Sequence, residues 1–549
     1  MKRGAQSLEA NLLFNLKKYM DHELYEYTIT RLSSFYKRCY GEFDRRAAHT
    51  DREGQPKLIR YDKYGNDASE IWLNEGYKKT IEETYGTGIV GYLHKPVPEL
   101  GRKATYHYSY ALGYVLSQVE SGFYCPVTLT MATAYLVDEY ADDEVKAKFL
   151  PHLISTGDTE LYEGATFLTE RQGGSDVGAN ETKAVKTNDG YRLYGEKYFA
   201  SNAGACGAAA VLARMEGAPQ GTKGLSLFLV PWRKDDGTLN HLSVRRLKDK
   251  LGVRAVPSAE VELTGAQAYL IGDPSKGFYY MMEALNLSRI CNAIASAGIM
   301  RRAYVEAKSY ADKREAFGKK LTESPMIKET LVKMAVKQEV QTSACFEMIE
   351  LFEKSAREKT ATEEEKALTR LFIALLKART AEEAIHFSHE AIEMHGGNGY
   401  IEDFVTPRLL RDSQVLTVWE GTANILGLEV LRLIRKFSVH ESFTGWILSH
   451  SANSPEVMKG VKELGELLSY LKNQDDDAWQ LHAKKLSSLM CDLLLTVIAK
   501  KDAESGDARK SAVAEIWNDL CWNRSVKDEK MLALKYYELI TETRESVIQ

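Results

Sequence analysis

The hydrophobic periodicity of this chain changes twice, and that change constrains its fold more than any other feature. Between residues 165 and 277, short segments of alternating polarity are separated by glycines and by Asn-Asp-Gly, Asp-Asp-Gly and Gly-Asp-Pro turns. Alternation with a period of two is typical of half-buried strands, and Asn188-Asp189-Gly190 is a hairpin signal. The sequence therefore predicts an antiparallel β domain at 165–277.

The part before this domain, residues 1–164, is predicted to be mainly helical. The segment from Tyr108 to Val137 is apolar and low in charge, as expected of buried helices. Residues 50–70 are polar and rich in turn-forming residues, so a surface loop is predicted there.

Helical periodicity returns after the β domain. Residues 278–439 contain successive helical patterns with short polar connections, which indicates a four-helix bundle. The third pattern runs from about Glu363 to Met394 and stops at Gly396-Gly397, as is typical of a helix C-terminus. Residues 440–549 form a further helical unit. The predicted fold is mainly α with a central β domain and an additional C-terminal helical domain.

Composition narrows the class of protein. The 549 residues are too many for one core, and the net charge of −5 provides no global basic field for nucleic acid. Seven scattered cysteines show no metal-ligand spacing, so free thiols in a reducing compartment and no metal site are expected. The N-terminus lacks the apolar stretch of a secretory signal, and no run reaches the roughly 18 apolar residues of a membrane span. A cytoplasmic location is expected.

Two segments of the β domain are candidate ligand-binding segments. In FLTERQGGSDVGAN at 167–180, Thr169 ends a strand, and glycines in the following turn would let backbone approach a flat or phosphorylated ligand. An ordinary turn between strands is the alternative. In YGEKYFASNAGAC at 194–206, aromatic residues and Ser201 lie at a strand end, where a role in the core is the alternative.

Two further candidates lie in the predicted bundle. In ADKREAFGK at 311–319, Arg314 and Phe317 follow a helix and could together bind a phosphate and an aromatic ring. A solvated arginine is the alternative. In AIEMHGGNGY at 391–400, the glycine-rich turn leaves backbone amides available for phosphate or ribose.

The segment VWEGTANI at 418–425 offers a general base. Glu420 is flanked by Trp419 and Val418, so partial desolvation is expected, and this would make its carboxylate a better proton acceptor. The alternative is a glutamate at a helix N-terminus, with Thr422 as the capping residue.

In their order and spacing, these motifs resemble those of the acyl-CoA dehydrogenase family. The resemblance covers about residues 100–437 and includes FLTERQGGSDVGAN, GEKYFASNAG, REAFGK, EMHGGNGY and VWEGTANI. TERQGGSD, ESGFYCPVT at 120–128 and RLKDKLGVRAVPSAEVEL at 246–263 are most similar to the AidB-like branch, which is linked to the adaptive response to alkylation damage. The helical tail also resembles that branch.

The resemblance implies a FAD site shared between subunits of a homotetramer. The residues implied to line the flavin are Leu168, Thr169, Gly174, Ser175, Phe199 and Ser201. Those implied to reach the FAD of a neighbouring subunit are Arg314, Phe317, Glu393, Gly396 and Gly397. Thr422 and Asn424 are implied to hold the adenosine end of the FAD.

The activity implied by the resemblance is FAD-dependent acyl-CoA dehydrogenation. Glu420 would remove the α-proton of an acyl-CoA thioester while flavin N5 accepts the β-hydride, which gives a 2-enoyl-CoA. Arg289 matches an arginine that closes the catalytic face in this family. An electron-transfer flavoprotein is the expected electron acceptor.

Other functions stay open on the same scaffold. One is an AidB-like flavoprotein with DNA association and weak dehydrogenase activity. From Glu441 onward, however, 11 Lys plus 3 Arg face 18 acidic residues, and this net charge of −4 disfavours duplex binding. A nitroalkane oxidase or monooxygenase is another alternative, and a purely structural role is a third.

Overall fold

The chain folds into two compact units. The computed structural model describes residues 8–451, 453–523, 525 and 527–541, so the basic start of the N-terminus lies outside the described residues. The sheet unit comprises Ser34–Cys291, and the bundle unit comprises Met1–Ser33 and Asn292–Gln549. The four domain boundaries expected from the sequence stay a prediction.

Helices dominate the chain before the sheet. They are α1 (Ala10–Tyr19), α2 (His22–Arg38), α3 (Asp44–Arg52), α4 (Glu75–Tyr85), α5 (Tyr106–Ser117), α6 (Ser121–Tyr140) and α7 (Asp143–Leu153). Every residue of α5 is buried, and nearly all of α6 is buried as far as Val137. The predicted buried helices over Tyr108 to Val137 are therefore confirmed.

The surface loop predicted at 50–70 is wrong over most of its length, because α3 continues to Arg52 and two strands follow. Strands β1 (Lys57–Tyr61) and β2 (Asp67–Trp72) form an antiparallel hairpin instead. One face of this hairpin is solvated, so its polar composition is compatible with strands. The hydroxyl of Ser69 accepts a hydrogen bond from the backbone N–H of Val244 at 2.8 Å, which attaches the hairpin to the main sheet.

Seven strands form the main sheet. They are β3 (Gly164–Phe167), β4 (Lys183–Thr187), β5 (Gly190–Ser201), β6 (Ala208–Met215), β7 (Leu225–Pro231), β8 (Leu242–Leu247) and β9 (Ser258–Ile271). The pairings run β6–β4–β5–β9–β7 and return to β6, while β3 pairs with β6 and β8 with β9. Five strands thus close into a small barrel.

The predicted β domain is present, but its strands are not all antiparallel. Both β3 and β4 pair with β6 in parallel, whereas the other main-sheet pairs are antiparallel. Polarity alternation is the same for both arrangements, so only the tertiary pairing decides between them. The predicted hairpin is confirmed, because Thr187 pairs with Gly190 across a two-residue turn.

The bundle unit is helical. Its elements after the sheet are α8 (Gly277–Ala311, which starts in the sheet unit), β10 (Glu315–Ala316), β11 (Lys319–Lys320), α9 (Pro325–Ala356), α10 (Glu363–His395), α11 (Thr406–Leu416), α12 (Ala423–Phe437), α13 (Val439–Ser451), α14 (Pro455–Leu471), α15 (Asp476–Ala503), α16 (Ala508–Trp522), α17 (Leu532–Lys535) and α18 (Tyr537–Thr541). Helix α10 starts at a capping box formed by Thr362 and Glu365 and ends where Gly396 has a φ of 59°. The helix predicted from Glu363 to Met394 is therefore confirmed.

The C-terminal helices pack on the bundle of their own chain. Helix α15 contributes a buried apolar face and packs against α9, α10 and α12. Ion pairs join the same elements: Arg379 of α10 lies 2.8 Å from Asp492, and Lys501 lies 2.8 Å from Glu347 of α9. This extension is therefore continuous with the bundle unit.

All seven cysteines are free thiols, as predicted, and five of them are buried. Among the described residues, no helix combines the length and apolarity that crossing a membrane requires.

Candidate active site

The end of strand β3 carries the first predicted ligand-binding residues. Leu168 and Thr169 follow the strand directly and are half-buried. Asn180 donates to the carbonyl of Leu168 at 2.8 Å, and the N–H of Tyr198 donates to the carbonyl of Thr169 at 2.8 Å. The structure thus joins the two motifs of the β domain that the sequence analysis singled out.

A buried ion pair anchors the same loop. The ammonium of Lys197 lies 2.7 Å from Glu170, and both side chains are at least 95% buried. Glu170 also accepts hydrogen bonds from Thr182 and from the N–H of Glu181. Burial alone would raise the pKa of Glu170, but Lys197 and these donors outweigh it and hold that pKa below its usual value.

The other flavin-lining candidates of the sheet unit are accessible. Gly174 and Ser175 are exposed, and a Cβ at Gly174 would lie 2.5 Å from Oγ1 of Thr169. Any larger residue at Gly174 would therefore require the Thr169 side chain to move. Ser201 is half-buried, with its hydroxyl 3.5 Å from that of Ser258.

Phe199 is unusual for an aromatic residue at a strand end. Its ring is 56% exposed and its φ is 57°, so it is not the core residue that the alternative interpretation proposed. The ammonium of Lys248 lies 3.3 Å from the centre of the Tyr198 ring and 4.9 Å from that of Phe199. Lys248 could not be predicted from the sequence, because a lysine between strands carries no signal by itself.

Arg289 lies in α8, within the sheet unit. It is 6% exposed and donates to the side-chain carbonyl of Asn286 at 3.2 Å.

The connection between α8 and α9 projects a bare aromatic ring. Strands β10 and β11 pair as a minimal hairpin, and Phe317 lies at its tip with a φ of 54°. Its side chain is fully exposed, and Arg314 is exposed as well. No described residue of the same chain covers this ring, so burying it would require a second surface.

The glycine-rich turn after α10 lies beside the start of this hairpin. Tyr310 accepts a hydrogen bond at its backbone carbonyl from the N–H of Arg314, and its hydroxyl accepts one from Asn398 at 3.1 Å. Its ring packs on His395 with centres 4.2 Å apart. Tyr310, which was not predicted from the sequence, therefore connects the hairpin segment to the glycine-rich turn.

The predicted residues of this turn are on the surface. Gly396 and Gly397 are exposed, and a Cβ at either would meet nothing within 4 Å, so their backbone is open to a ligand. Glu393 is exposed and lies 3.5 Å from His389. Together with Glu390, the side chains of His389 and Glu393 form a surface group that could ligate a metal ion, and no function is assigned to this group.

Glu420 lies on the turn between α11 and α12. Its φ is 59° and that of Gly421 is 105°, so two successive residues have left-handed backbone. For a residue other than glycine this conformation costs about 1–2 kcal/mol. Strain of this kind is concentrated at functional sites. The side chain of Glu420 is half-buried, and its Oε2 atom is buried.

The neighbours of Glu420 only partly match the expectation. Trp419 is half-buried, but Val418 is 58% exposed, so Val418 does not desolvate the carboxylate as predicted. The tight turn directs Val418 outward, because its N–H donates back to Val415 at 2.8 Å. Thr422 is the N-cap residue of α12 without a side-chain capping hydrogen bond, and Asn424 is exposed.

Two buried polar side chains that the sequence analysis missed contact this turn. Lys377 of α10 is 1% exposed and donates to the carbonyl of Gly421 at 2.6 Å. Asn292 of α8 is 5% exposed and donates to the carbonyl of Leu416 at 3.2 Å. A lysine directly after the apolar run 371–376 was a usable signal; Asn292 offered none.

Comparison with known proteins places these features in a family. Residues 165–266 match the acyl-CoA dehydrogenase middle domain, and residues 275–434 match the acyl-CoA dehydrogenase C-terminal domain. "Acyl-CoA dehydrogenase family member 11" of Caenorhabditis elegans is 32% identical over 510 residues, which cover 91% of this chain and 79% of that protein. The chain belongs to the acyl-CoA dehydrogenase family.

Further matches specify the branch. Residues 11–157 match the N-terminal domain of the adaptive response protein AidB. "Putative acyl-CoA dehydrogenase AidB" of Escherichia coli K12 is 32% identical over 391 residues, 69% of each chain. The crystal structure of C. elegans ACDH-11 in complex with C11-CoA superposes with a TM-score of 0.84 at 27% identity, covering 97% of this chain and 94% of that one. Within the family, the chain is AidB-like, as predicted.

Proposed function

We propose that this protein is a FAD-dependent acyl-CoA dehydrogenase in which Glu420 removes the α-proton of the thioester. The observation that carries the proposal is the position of Glu420 on a left-handed turn of a chain that belongs to this family. A relative that binds C11-CoA supports an acyl-CoA thioester as the substrate class.

The residues of the chain fit a flavin. A flat ring needs an open apolar surface, and Phe199 offers a 56% exposed aromatic ring beside the loop that carries Leu168 and Thr169. A diphosphate needs accessible backbone amides, and Gly396 and Gly397 have open space where a Cβ would be. FAD held by Leu168, Thr169 and Phe199 of one subunit, and by the two glycines of a neighbouring subunit, would supply the acceptor for the β-hydride.

The role of Glu420 follows from its chemistry. The α-proton of a thioester becomes acidic enough for a carboxylate only when the developing charge on the thioester oxygen is stabilised. A backbone N–H near Glu420 would donate to that oxygen while the carboxylate accepts the proton. Arg289, buried in α8, would close the catalytic face.

The assembly is part of the proposal. Arg314, Phe317, Glu393, Gly396 and Gly397 would reach the FAD of a neighbouring subunit in a homotetramer, and Thr422 and Asn424 would hold the adenosine end. The full exposure of Phe317 supports a partner surface at this hairpin. An electron-transfer flavoprotein would reoxidise the flavin.

The first prediction tests the base. Anaerobic titration of the flavin-loaded protein with a series of acyl-CoAs should bleach the flavin. Glu420→Gln should still bind the flavin. Acyl-CoA should reduce that flavin at least about 1,000-fold more slowly, because the glutamine amide cannot accept the α-proton. Stopped-flow absorbance at the flavin band measures both rates.

Testing nitroalkanes and duplex DNA beside the acyl-CoAs distinguishes the alternative functions. Reduction by nitroalkanes but not by acyl-CoAs would favour the nitroalkane oxidase alternative. A protein that is not reduced by any acyl-CoA but retains duplex DNA with a strong dependence on salt would favour the DNA-associated alternative. Wild-type rates in Glu420→Gln would remove Glu420 from the mechanism.

A further inference from the structure

The turn that carries Glu420 is held at both ends by side chains from other helices. Asn292 donates to the last carbonyl of α11, that of Leu416, and Lys377 donates to the carbonyl of Gly421. Asn292 belongs to α8 and Lys377 to α10, so two separate helices contact the carbonyls at the two ends of the segment 416–421.

Both contacts lie in the interior. Lys377 is 1% exposed and Asn292 is 5% exposed. Placing an ammonium or an amide there carries a desolvation cost that an apolar side chain would avoid. The Oδ1 atom of Asn292 is moreover buried without a hydrogen-bond partner among the described residues. The hydrogen bond from the Asn292 nitrogen is therefore the contact that offsets part of the cost of burying this amide.

The turn needs such contacts because its conformation is unfavourable. Glu420 and Gly421 both have left-handed backbone, and the N–H groups of Val418 and Trp419 both donate to the carbonyl of Val415. These two bonds fix the start of the turn. They do not fix the peptide that follows Glu420, whose orientation sets the direction of the carboxylate.

We infer that Asn292 and Lys377 are positioning residues that clamp the Glu420 turn from both ends. The catalytic meaning of the clamp rests on the proposed function, in which Glu420 is the base. Because proton abstraction depends steeply on the position of the base, loosening the turn should slow the chemical step more than it weakens substrate binding.

The test combines kinetics with hydrogen exchange of the flavin-loaded protein. Asn292→Leu and Lys377→Met remove the donors at similar volume. Each should lower the limiting rate of flavin reduction by acyl-CoA about 10- to 100-fold, while the flavin content and the apparent dissociation constant stay unchanged. Peptides that cover residues 415–422 should exchange faster than in the wild type.

Matched controls exist in the same unit. Asn11 donates to the carbonyl of Glu339 at 3.1 Å, and Lys510 lies 3.1 Å from the carboxylate of Glu339. Both are buried, and both contact Glu339 of α9 rather than the described residues of the turn. Asn11→Leu and Lys510→Met should lower the melting temperature but leave the limiting rate and the exchange of 415–422 unchanged.

Each outcome decides the inference. Clamp variants whose exchange and limiting rate match those of the control variants would overturn it. If Lys377→Met does not fold, Lys377→Arg, which keeps a cationic donor, should fold and retain wild-type exchange; faster exchange there would contradict the clamp. If acyl-CoAs do not reduce the wild type, the proposed function fails, and the exchange comparison still decides whether the clamp exists.

Discussion

At the scale of single residues, Glu163 is a buried acid that the proposed mechanism does not use. It immediately precedes β3 and is 5% exposed. Its carboxylate accepts a hydrogen bond from the hydroxyl of Tyr85 at 3.0 Å, and this hydroxyl also contacts Thr130. Burial raises the pKa of Glu163 to about 7, and the hydrogen bonds only partly offset the effect.

The raised pKa of Glu163 predicts a loss of stability as the pH increases. Between pH 4.5 and about 7, the unfolded chain releases this proton while the folded chain keeps it, so the free energy of unfolding falls. Below this window both states are protonated, and above it the full cost of a buried charge is present. Glu163→Gln should abolish this pH-dependent decrease in the free energy of unfolding, which is on the order of 3 kcal/mol. Denaturant unfolding at several pH values measures the decrease.

The exposed Glu160 provides the control for that experiment. Glu160→Gln should follow the pH dependence of the wild type. An identical pH profile for Glu163→Gln and the wild type would show that the pKa of Glu163 does not change on folding.

At the scale of elements, the C-terminal helices are packed tightly enough to require glycine. Gly460 of α14 is buried, and a Cβ at this position would lie 2.5 Å from the ring of Trp522 in α16 and 2.6 Å from Leu493 in α15. Gly465, on the same helix, is exposed and has open space at its Cβ position. Two glycines in one helix therefore have different physical roles.

A pair of substitutions in α14 tests this packing. Gly460→Ala should destabilise the bundle unit by about 1–3 kcal/mol, because the methyl group overpacks the interface of three helices. Gly465→Ala should instead stabilise it by about 0.5–1 kcal/mol through the higher helix propensity of alanine. Thermal unfolding of both variants measures the difference, and equal effects would contradict the close approach of α14 to α16.

At the scale of the whole molecule, the described residues of a single chain leave the rings of Phe317 and Tyr400 largely exposed. Phe317 is fully exposed on the β10–β11 hairpin, and Tyr400, after α10, is 83% exposed. Both belong to segments that Tyr310 joins. A large exposed ring at a joined pair of loops is typical of a surface that a partner covers.

Assembly should therefore depend on the hairpin. Phe317→Ala should shift the proposed homotetramer towards smaller species and lower the affinity for FAD, because the ring would contact both the neighbouring subunit and its cofactor. Sedimentation velocity at several protein concentrations, together with flavin absorbance, measures both effects. Tyr64→Ala, which removes a 78% exposed ring from a turn of the sheet unit, serves as the control and should leave assembly intact.

Local sequence patterns explain why some elements were predicted correctly. Helix α10 begins and ends where its capping box and glycine stop indicate, and the β4–β5 hairpin turns at Asn188-Asp189-Gly190. The parallel pairing of β3 and β4 with β6 was not accessible, since parallel and antiparallel strands alternate in the same way. The β1–β2 hairpin was missed because one of its faces is solvated, so polar residues interrupt the apolar residues of both strands.

The sequence by itself determined the order of helical and β segments, the family, and Glu420 as the base to test, because periodicity, caps and motifs are properties of neighbouring residues. Only the tertiary structure decided which distant side chains support that glutamate. Asn292 and Lys377 lie 128 and 43 residues before Glu420 in the chain, and they reach its turn because the packing of α8 and α10 puts them there. Hydrogen bonds between residues so far apart in sequence are set by the fold, and local pattern carries no record of them.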